Sequence, residues 1–269
     1  MGSDAPHLWF LGMGVATAAG WALGYRLGRG SPTTGRLGIA GGLVLILGWA
    51  WLIRHPSVAV TVVPAHVLSR VEGIGGVPIF MLVLGIAWAR SRVPRQRHVI
   101  AWAITLGAIH LVNGGRWLLQ ETPTAVMGQT VSPVLTRQSQ DYTCVPAACA
   151  TALNMLGHPS TEAQMGELTL TRAGTGATMI RAFDGLTRRL AETDLRPLLL
   201  EPALEELRHL PLPALTPLQF EPSRQHMVVL TRADTHGMWL MDPMEGYLYF
   251  DYQELRAYFR NQVIVFEQR

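Results

Sequence analysis

Apolar residues run almost unbroken through four stretches of the first 120 positions, residues 9–27, 37–53, 74–89 and 99–119, with short arginine-bearing loops between them. The first two are each close to 20 residues long, enough at about 1.5 Å per residue to cross a hydrocarbon core of about 30 Å. The third is shorter and is expected either to borrow residues from the 58–68 region or to use a tilted or broken helix around Pro64 and Pro78. Four membrane-spanning helices are therefore expected. A cleaved signal peptide fits the first stretch poorly, because its leading residues carry Asp4 and no positive charge, and three more stretches follow.

Beyond residue 133 the pattern changes to that of a water-soluble domain. Helical spacing is expected near 144–156, 161–168, 178–190 and 251–259, and strand-like alternation near 196–200, 213–219, 226–232, 237–242, 246–250 and 263–267. That order gives an α+β domain, with helices first and an antiparallel sheet afterwards. The division expected is residues 1–120 as an all-α transmembrane region, 121–133 as a linker with two prolines, and 134–269 as the soluble domain.

Composition agrees with two unlike halves, since 49% of residues are hydrophobic and only 15% charged. All 22 basic residues are arginine, and many flank the apolar stretches instead of clustering on one soluble face, which argues against nucleic acid as a partner. The absence of lysine also excludes a fused ATPase of the Walker A kind, whose lysine reaches the phosphates. Arginines set orientation. The first loop carries Arg26, Arg29 and Arg36 and the third Arg90, Arg92, Arg95 and Arg97, against only Arg54 and Arg70 in the second. Loops one and three are thus expected in the cytoplasm and the C-terminal domain outside it. His110, Asn113 and Arg116 share one side of the fourth stretch, with His66 and Glu72 near the third, and a polar seam inside the bundle is expected from them, structural in character.

The chemistry gathers in the second half. Residues 138–157 read Q-S-Q-D-Y-T-C-V-P-A-A-C-A-T-A-L-N-M-L-G, a helix start with a tolerated proline and a glycine stop. Cys144 falls at the helix N-terminus, where unpaired amides and the macrodipole favour an anion. A cysteine nucleophile needs a histidine that is distant in sequence. His226 opens the strand H-M-V-V-L-T-R, and sixteen residues later W-L-M-D-P-M-E-G ends the next strand at Asp242. A hairpin turning at A-D-T-H-G brings the start of one strand beside the end of the other, so Asp242 is placed to orient the imidazole. Gln138, six residues ahead of Cys144, offers a side-chain amide to a developing oxyanion, with Gln140 as a competitor. Cys149 reads as a core residue. A bridge between the two cysteines is not expected, because on one helix their Cα atoms are about 8 Å apart. No metal or other cofactor is called for, as the chain has neither C-x-x-C nor H-E-x-x-H.

The segment from Gln138 through C-V-P-A-A, the later H-x-V-V-L strand and the D-P-x-x-G turn together resemble the peptidase C39 family, papain-like peptidases that process bacteriocin precursors behind a double-glycine leader. The resemblance covers about half the chain and includes G-T-G-A-T at 174–178. It implies a papain-like fold, with Cys144 as nucleophile, His226 as base, Asp242 as orienting residue and Gln138 as oxyanion donor. It further implies a peptide or protein substrate, and a membrane-anchored cysteine peptidase in a bacterial cell membrane. Two departures stand out: Val145 follows the cysteine where many members have glycine, and the transporter fused to some members is replaced by the four stretches, so a separate export partner is left open. The same four residues would also serve acyl transfer to an amine, and Val145 points to a third reading, an inactive peptide-binding module.

Overall fold

The computed structural model describes residues 6–120, 132, 134–221 and 224–269. The N-terminal half forms α1 (Pro6–Arg29), α2 (Pro32–Arg54), α3 (Pro56–Val62), α4 (Ala65–Val71), α5 (Val77–Arg90) and α6 (Pro94–Gly115), the last running on as a 3-10 turn, Arg116–Leu119. Proline marks the starts of these helices, where its missing N–H costs nothing. At α2 the Ser31 hydroxyl also accepts the Thr34 N–H (3.1 Å). Two compact units result. One holds the described residues up to His55 together with 70–120, and the other joins Pro56–Ser69 to the described residues from 132 onward. The expected linker, 121–133, lies outside the described residues apart from Ser132.

In the first unit α1, α2 and α6 turn several large apolar residues outward and several glycines inward. Leu37, Leu47, Trp102 and Val99 are exposed, while Gly24, Gly28, Gly35, Gly42 and Gly107 are buried. Such packing is stable where the surroundings are as apolar as leucine and helices gain by close backbone approach. Gly20, Gly24 and Gly28 of α1 rest on Pro78, Leu82 and Ile86 of α5, and a Cβ on Gly24 would overlap the Leu82 carbonyl. Both rows ascend together, so α1 and α5 run parallel. Against α2 the order reverses: Gly35 meets the Arg90 side chain and Gly42 meets Val83, while Trp49 covers Gly75 and Gly76, so α2 and α5 are antiparallel. Arg90 Nη1 donates to the Gly28 and Ser31 carbonyls (3.3 and 3.1 Å), tying the end of α5 to the turn between α1 and α2.

Among the described residues three helices are long and apolar enough to cross a membrane: α1, α2 and α6 with its 3-10 extension. The third apolar stretch forms α5, 14 residues, about 21 Å at the helical rise. It does not borrow from the 58–68 region. That region forms α3 and α4 of the other unit, where the Ser57 N–H and hydroxyl donate to Glu201 Oε1 (3.1 and 2.7 Å) and the Ser69 hydroxyl donates to buried Asp184 Oδ2 (3.0 Å). Carboxylates in such settings need donors, and these serines supply them. The fourth stretch does not turn its polar residues inward as expected, since His110, Asn113 and Arg116 are exposed; His110 Nε2 donates to the Gly73 carbonyl (3.0 Å), in the turn before α5.

The second unit continues with α7 (Cys144–Met155), α8 (Glu162–Leu168), α9 (Met179–Arg189), β1 (Leu195–Leu200), β2 (Ala214–Glu221), β3 (Arg224–Ala233), β4 (Gly237–Asp242), β5 (Gly246–Asp251), α10 (Tyr252–Tyr258) and β6 (Val263–Gln268). The strands form one antiparallel sheet in the order β1-β6-β2-β3-β4-β5. Alternation along β3 divides the core. Met227 and Val229 pack with Ala148, Cys149 and Leu153 of α7, and Val228 and Leu230 pack with Leu204, Leu207 and Leu255 on the other face. This is the α+β domain expected from the pattern, with an added 3-10 turn at Leu204–His209 that the sequence did not announce.

Replacing Gly24 with leucine should force α1 from α5 and destabilise the full chain by about 1–3 kcal/mol, the usual cost of overpacking. Gly12, with no atom within 4 Å of a built Cβ, is the matched control. Thermal unfolding in detergent should lower the midpoint of Gly24→Leu and leave that of Gly12→Leu near the parent.

Candidate active site

Helix α7 begins at Cys144, which is half-buried, and the turn before it is closed by Thr143, whose hydroxyl accepts the Gln140 N–H (3.1 Å) and donates back to the Gln140 carbonyl (3.0 Å). The first-turn amides are left facing the thiol end of the helix, as a start of this kind requires. Val145 turns inward and is buried in the core, so the side chain that replaces the family's glycine is absorbed by packing. Cys149 is wholly buried; burial, with Cys144 nearby, pushes its thiol far above the ordinary value and keeps it neutral. Both cysteines are free.

His226 is the third residue of β3 and Asp242 the last of β4, and His226 Nε2 donates to Asp242 Oδ1 at 2.8 Å. The pairing that makes this possible is not a plain hairpin. Leu230 opposes Leu240 but Arg232 opposes Trp239, so Thr231 is an extra residue in β3. With the bulge, Asp242 continues the register opposite Val228, on the same face as His226. Without it Asp242 would oppose Val229 and point to the other face, because strand side chains alternate. The Thr231 hydroxyl holds the bulge by donating to the Trp239 carbonyl (3.1 Å).

Asp242 is almost fully buried, and its Oδ1 also accepts the Met244 and Glu245 N–H groups (2.7 and 3.2 Å). Burial works against its charge, but the His226 ring and these turn amides outweigh it and hold the carboxyl below its usual range. Burial likewise opposes charge on His226. Hydrogen bonds to Asp242 and to Cys144, with the charges of both, prevail and push the ring up to about 9 from an ordinary 6.5. Since Nε2 is engaged by Asp242, Nδ1 is the nitrogen left to meet the thiol.

Gln138 is fixed beside the same turn: its backbone N–H donates to the Pro243 carbonyl (3.0 Å), and its Nε2 to the Gln140 carbonyl (2.9 Å), leaving the second Nε2 hydrogen uncommitted. Gln140 is exposed. Thr178, in the G-T-G-A-T segment, caps α9 by accepting the Arg181 N–H (3.3 Å). Of the remaining histidines, His236 lies in the β3–β4 turn, its N–H donating to Asp234 Oδ1 (2.7 Å).

One feature of the site had no counterpart in the sequence reading. A cleft of about 350 Å³ opens beside the ring, lined by His226, Asp242, Met244, Glu245 and the apolar Phe220, Leu248 and Phe250. Phe220 stacks obliquely on Tyr258 at 4.8 Å between centroids and approaches the His226 ring at 6.3 Å. Alternation in β5 marks Leu248 and Phe250 as one face, but only the fold brings Phe220 to them. Together these groups offer a thiol, a histidine able to carry its proton, a carboxylate that orients the histidine, an amide donor and an apolar cleft. That set suits attack on an acyl group.

The model of the peptidase C39 family matches residues 133–269. Among solved structures, a double glycine motif protease from an AMS/PCAT transporter, crystallised with the leader peptide, is similar over 54% of this chain and 99% of its own, at 15% identity and a TM-score of 0.42. The peptidase domain of Streptococcus ComA, a bifunctional ABC transporter of a quorum-sensing pathway, is similar over 51% of this chain and 100% of its own, at 15% identity and a TM-score of 0.46. No curated protein sequence matches.

The raised His226 value has a definite sign. Its protonation contributes stability in full below the unfolded value near 6.5, and that contribution is lost as pH rises through about 9. Asp242→Asn removes the charge that supports the imidazolium and should lower the titration midpoint of the ring by roughly one to two pH units. Titration of the histidine ring by NMR in both proteins measures this directly.

Proposed function

The chain belongs to the peptidase C39 family, and from that premise we propose a membrane-anchored cysteine peptidase that hydrolyses a peptide bond through Cys144. The observation that carries the reading is the 2.8 Å bond from His226 to Asp242 on a ring that also meets the Cys144 thiol.

In the proposed reaction His226 takes the thiol proton, and the sulfur attacks the carbonyl carbon of the substrate. The oxyanion that forms accepts hydrogen bonds from the Cys144 N–H and the free Nε2 hydrogen of Gln138. As it collapses, the carbon–nitrogen bond breaks and the imidazolium gives its proton to the departing amine, leaving a thioester. Water then attacks the thioester with His226 again as base, and the acid and the thiol are released. Asp242 keeps the ring in the orientation that serves both halves. The apolar cleft of Phe220, Leu248 and Phe250 is suited to an apolar side chain of the substrate. The family resemblance makes a Gly-Gly amide the first substrate to try.

We also propose four crossings, by α1, α2, the 70–90 segment and α6, with the peptidase domain outside the cytoplasm. Pro56–Ser69 and the C-terminal domain share one compact unit and so must share one side of the membrane. If α2 and α6 both cross, that is possible only if residues 70–90 cross between them. The parallel run of α5 with α1 and its antiparallel run with α2 support the same direction of travel. Arginines in loops one and three put those loops in the cytoplasm.

Cys144→Ala should abolish both cleavage and labelling by a thiol-directed peptide probe, and Cys149→Ala should leave the labelling intact. Gln138→Ala should lower kcat by about 10²-fold or more, the usual cost of one oxyanion donor. Labelling that survives Cys144→Ala would sink the assignment. For sidedness, a tag after Arg269 should be digested in intact right-side-out vesicles; a tag that resists until the membrane is permeabilised would reverse the topology.

A further inference from the structure

Beside the proposed oxyanion donor lies a carboxylate that the mechanism does not use. Glu162, the first residue of α8, is 1% exposed, and its Oε1 accepts the backbone N–H of Ser139 at 2.9 Å. Its Oε2 is buried and meets no hydrogen-bond partner among the described residues, and the same holds for Ser139 Oγ and Gln138 Oε1. A carboxylate buried this deeply is costly unless its lone pairs are well met, and here it meets one backbone amide.

What the carboxylate holds is informative. Ser139 follows Gln138 directly, and the Gln138 N–H is pinned to the Pro243 carbonyl, next to Asp242. The peptide on one side of Gln138 is thus fixed to the Asp242 turn and the peptide on the other side to α8 through Glu162. Between these two anchors the Gln138 side chain spends one Nε2 hydrogen on Gln140 and keeps the other. Removing the second anchor leaves the donor in place chemically but free to wander, and a displacement of about 1 Å in a reacting group can cost on the order of 10²-fold in rate.

We propose that Glu162 is a positioning residue for the oxyanion donor, acting through Ser139 on Gln138; this rests on the peptidase reading above. Glutamine at 162 keeps a carbonyl oxygen to accept the Ser139 N–H, whereas alanine removes it, so the two substitutions separate the bond from the charge.

The test uses the full chain in detergent, with acetyl-Gly-Gly-aminomethylcoumarin as the amide probe and iodoacetamide as the thiol probe. Glu162→Ala should lower kcat roughly 10- to 100-fold with KM little changed, and Glu162→Gln should recover most of that loss. Alkylation of Cys144 by iodoacetamide, which needs no oxyanion donor, should proceed at the parent rate in Glu162→Ala. In a Gln138→Ala background Glu162→Ala should have little further effect on kcat, because the group it positions is gone. Amide hydrogen exchange at residues 138–140 should rise in Glu162→Ala while α7 and the sheet stay protected. The proposal is overturned if Glu162→Ala costs the same factor with or without Gln138, if alkylation falls in step with turnover, or if exchange at 138–140 is unchanged. Should the parent protein fail to turn over the amide while alkylating normally, the peptidase reading fails instead, and the exchange measurement still decides whether Glu162 holds Ser139.

Discussion

A buried carboxylate at the end of a strand is tolerated only where donors converge on it, and Asp242 organises the site through that requirement. One oxygen gathers the His226 ring and two amides of the turn that follows it. The turn, shaped by those bonds, offers the Pro243 carbonyl to Gln138 and the Met244 carbonyl to Arg137 Nη1 (3.0 Å). One charge thereby fixes the base, the turn, and the loop that leads into α7. The cost of desolvating it is met by hydrogen bonds, which also set the positions of the ring and of the turn.

The two cysteines show how far environment outweighs identity. Five residues apart on one helix, they differ in that Cys144 is half-buried against a histidine, while Cys149 is enclosed by side chains of the core. The first abuts the His226 ring; burial holds the second neutral. A thiol reagent would read the fold and not the sequence.

Much of this was legible in the chain. The helices and strands of the C-terminal domain fall within a few residues of the positions that periodicity gave, and the hairpin reading that set Asp242 beside His226 matches their 2.8 Å bond. What periodicity could not give were relations between distant segments. Nothing near Ser57 or Ser69 indicates that Glu201 and Asp184 await them, so the 58–68 region read as spare length for a membrane helix. Nothing in the sequence singles out Glu162, because its burial against Ser139 depends on how α8 packs. In the N-terminal half the exposed His110, Asn113 and Arg116 were drawn inward by a rule about the cost of polar groups, whereas glycines, mute in a hydropathy trace, occupy the helix contacts.

The bulge at Thr231 has a consequence for how such a site can change over time. Many substitutions at that position leave the strand count intact, and the face on which Asp242 emerges follows the count. A register in which Thr231 paired regularly with Leu240 would turn the acid away from the imidazole though every functional residue was still encoded. Drift in this hairpin is therefore permissive toward replacement and severe toward changes of register, and an alignment that scored only the identities of the cysteine, histidine and aspartate would pass such a chain as intact.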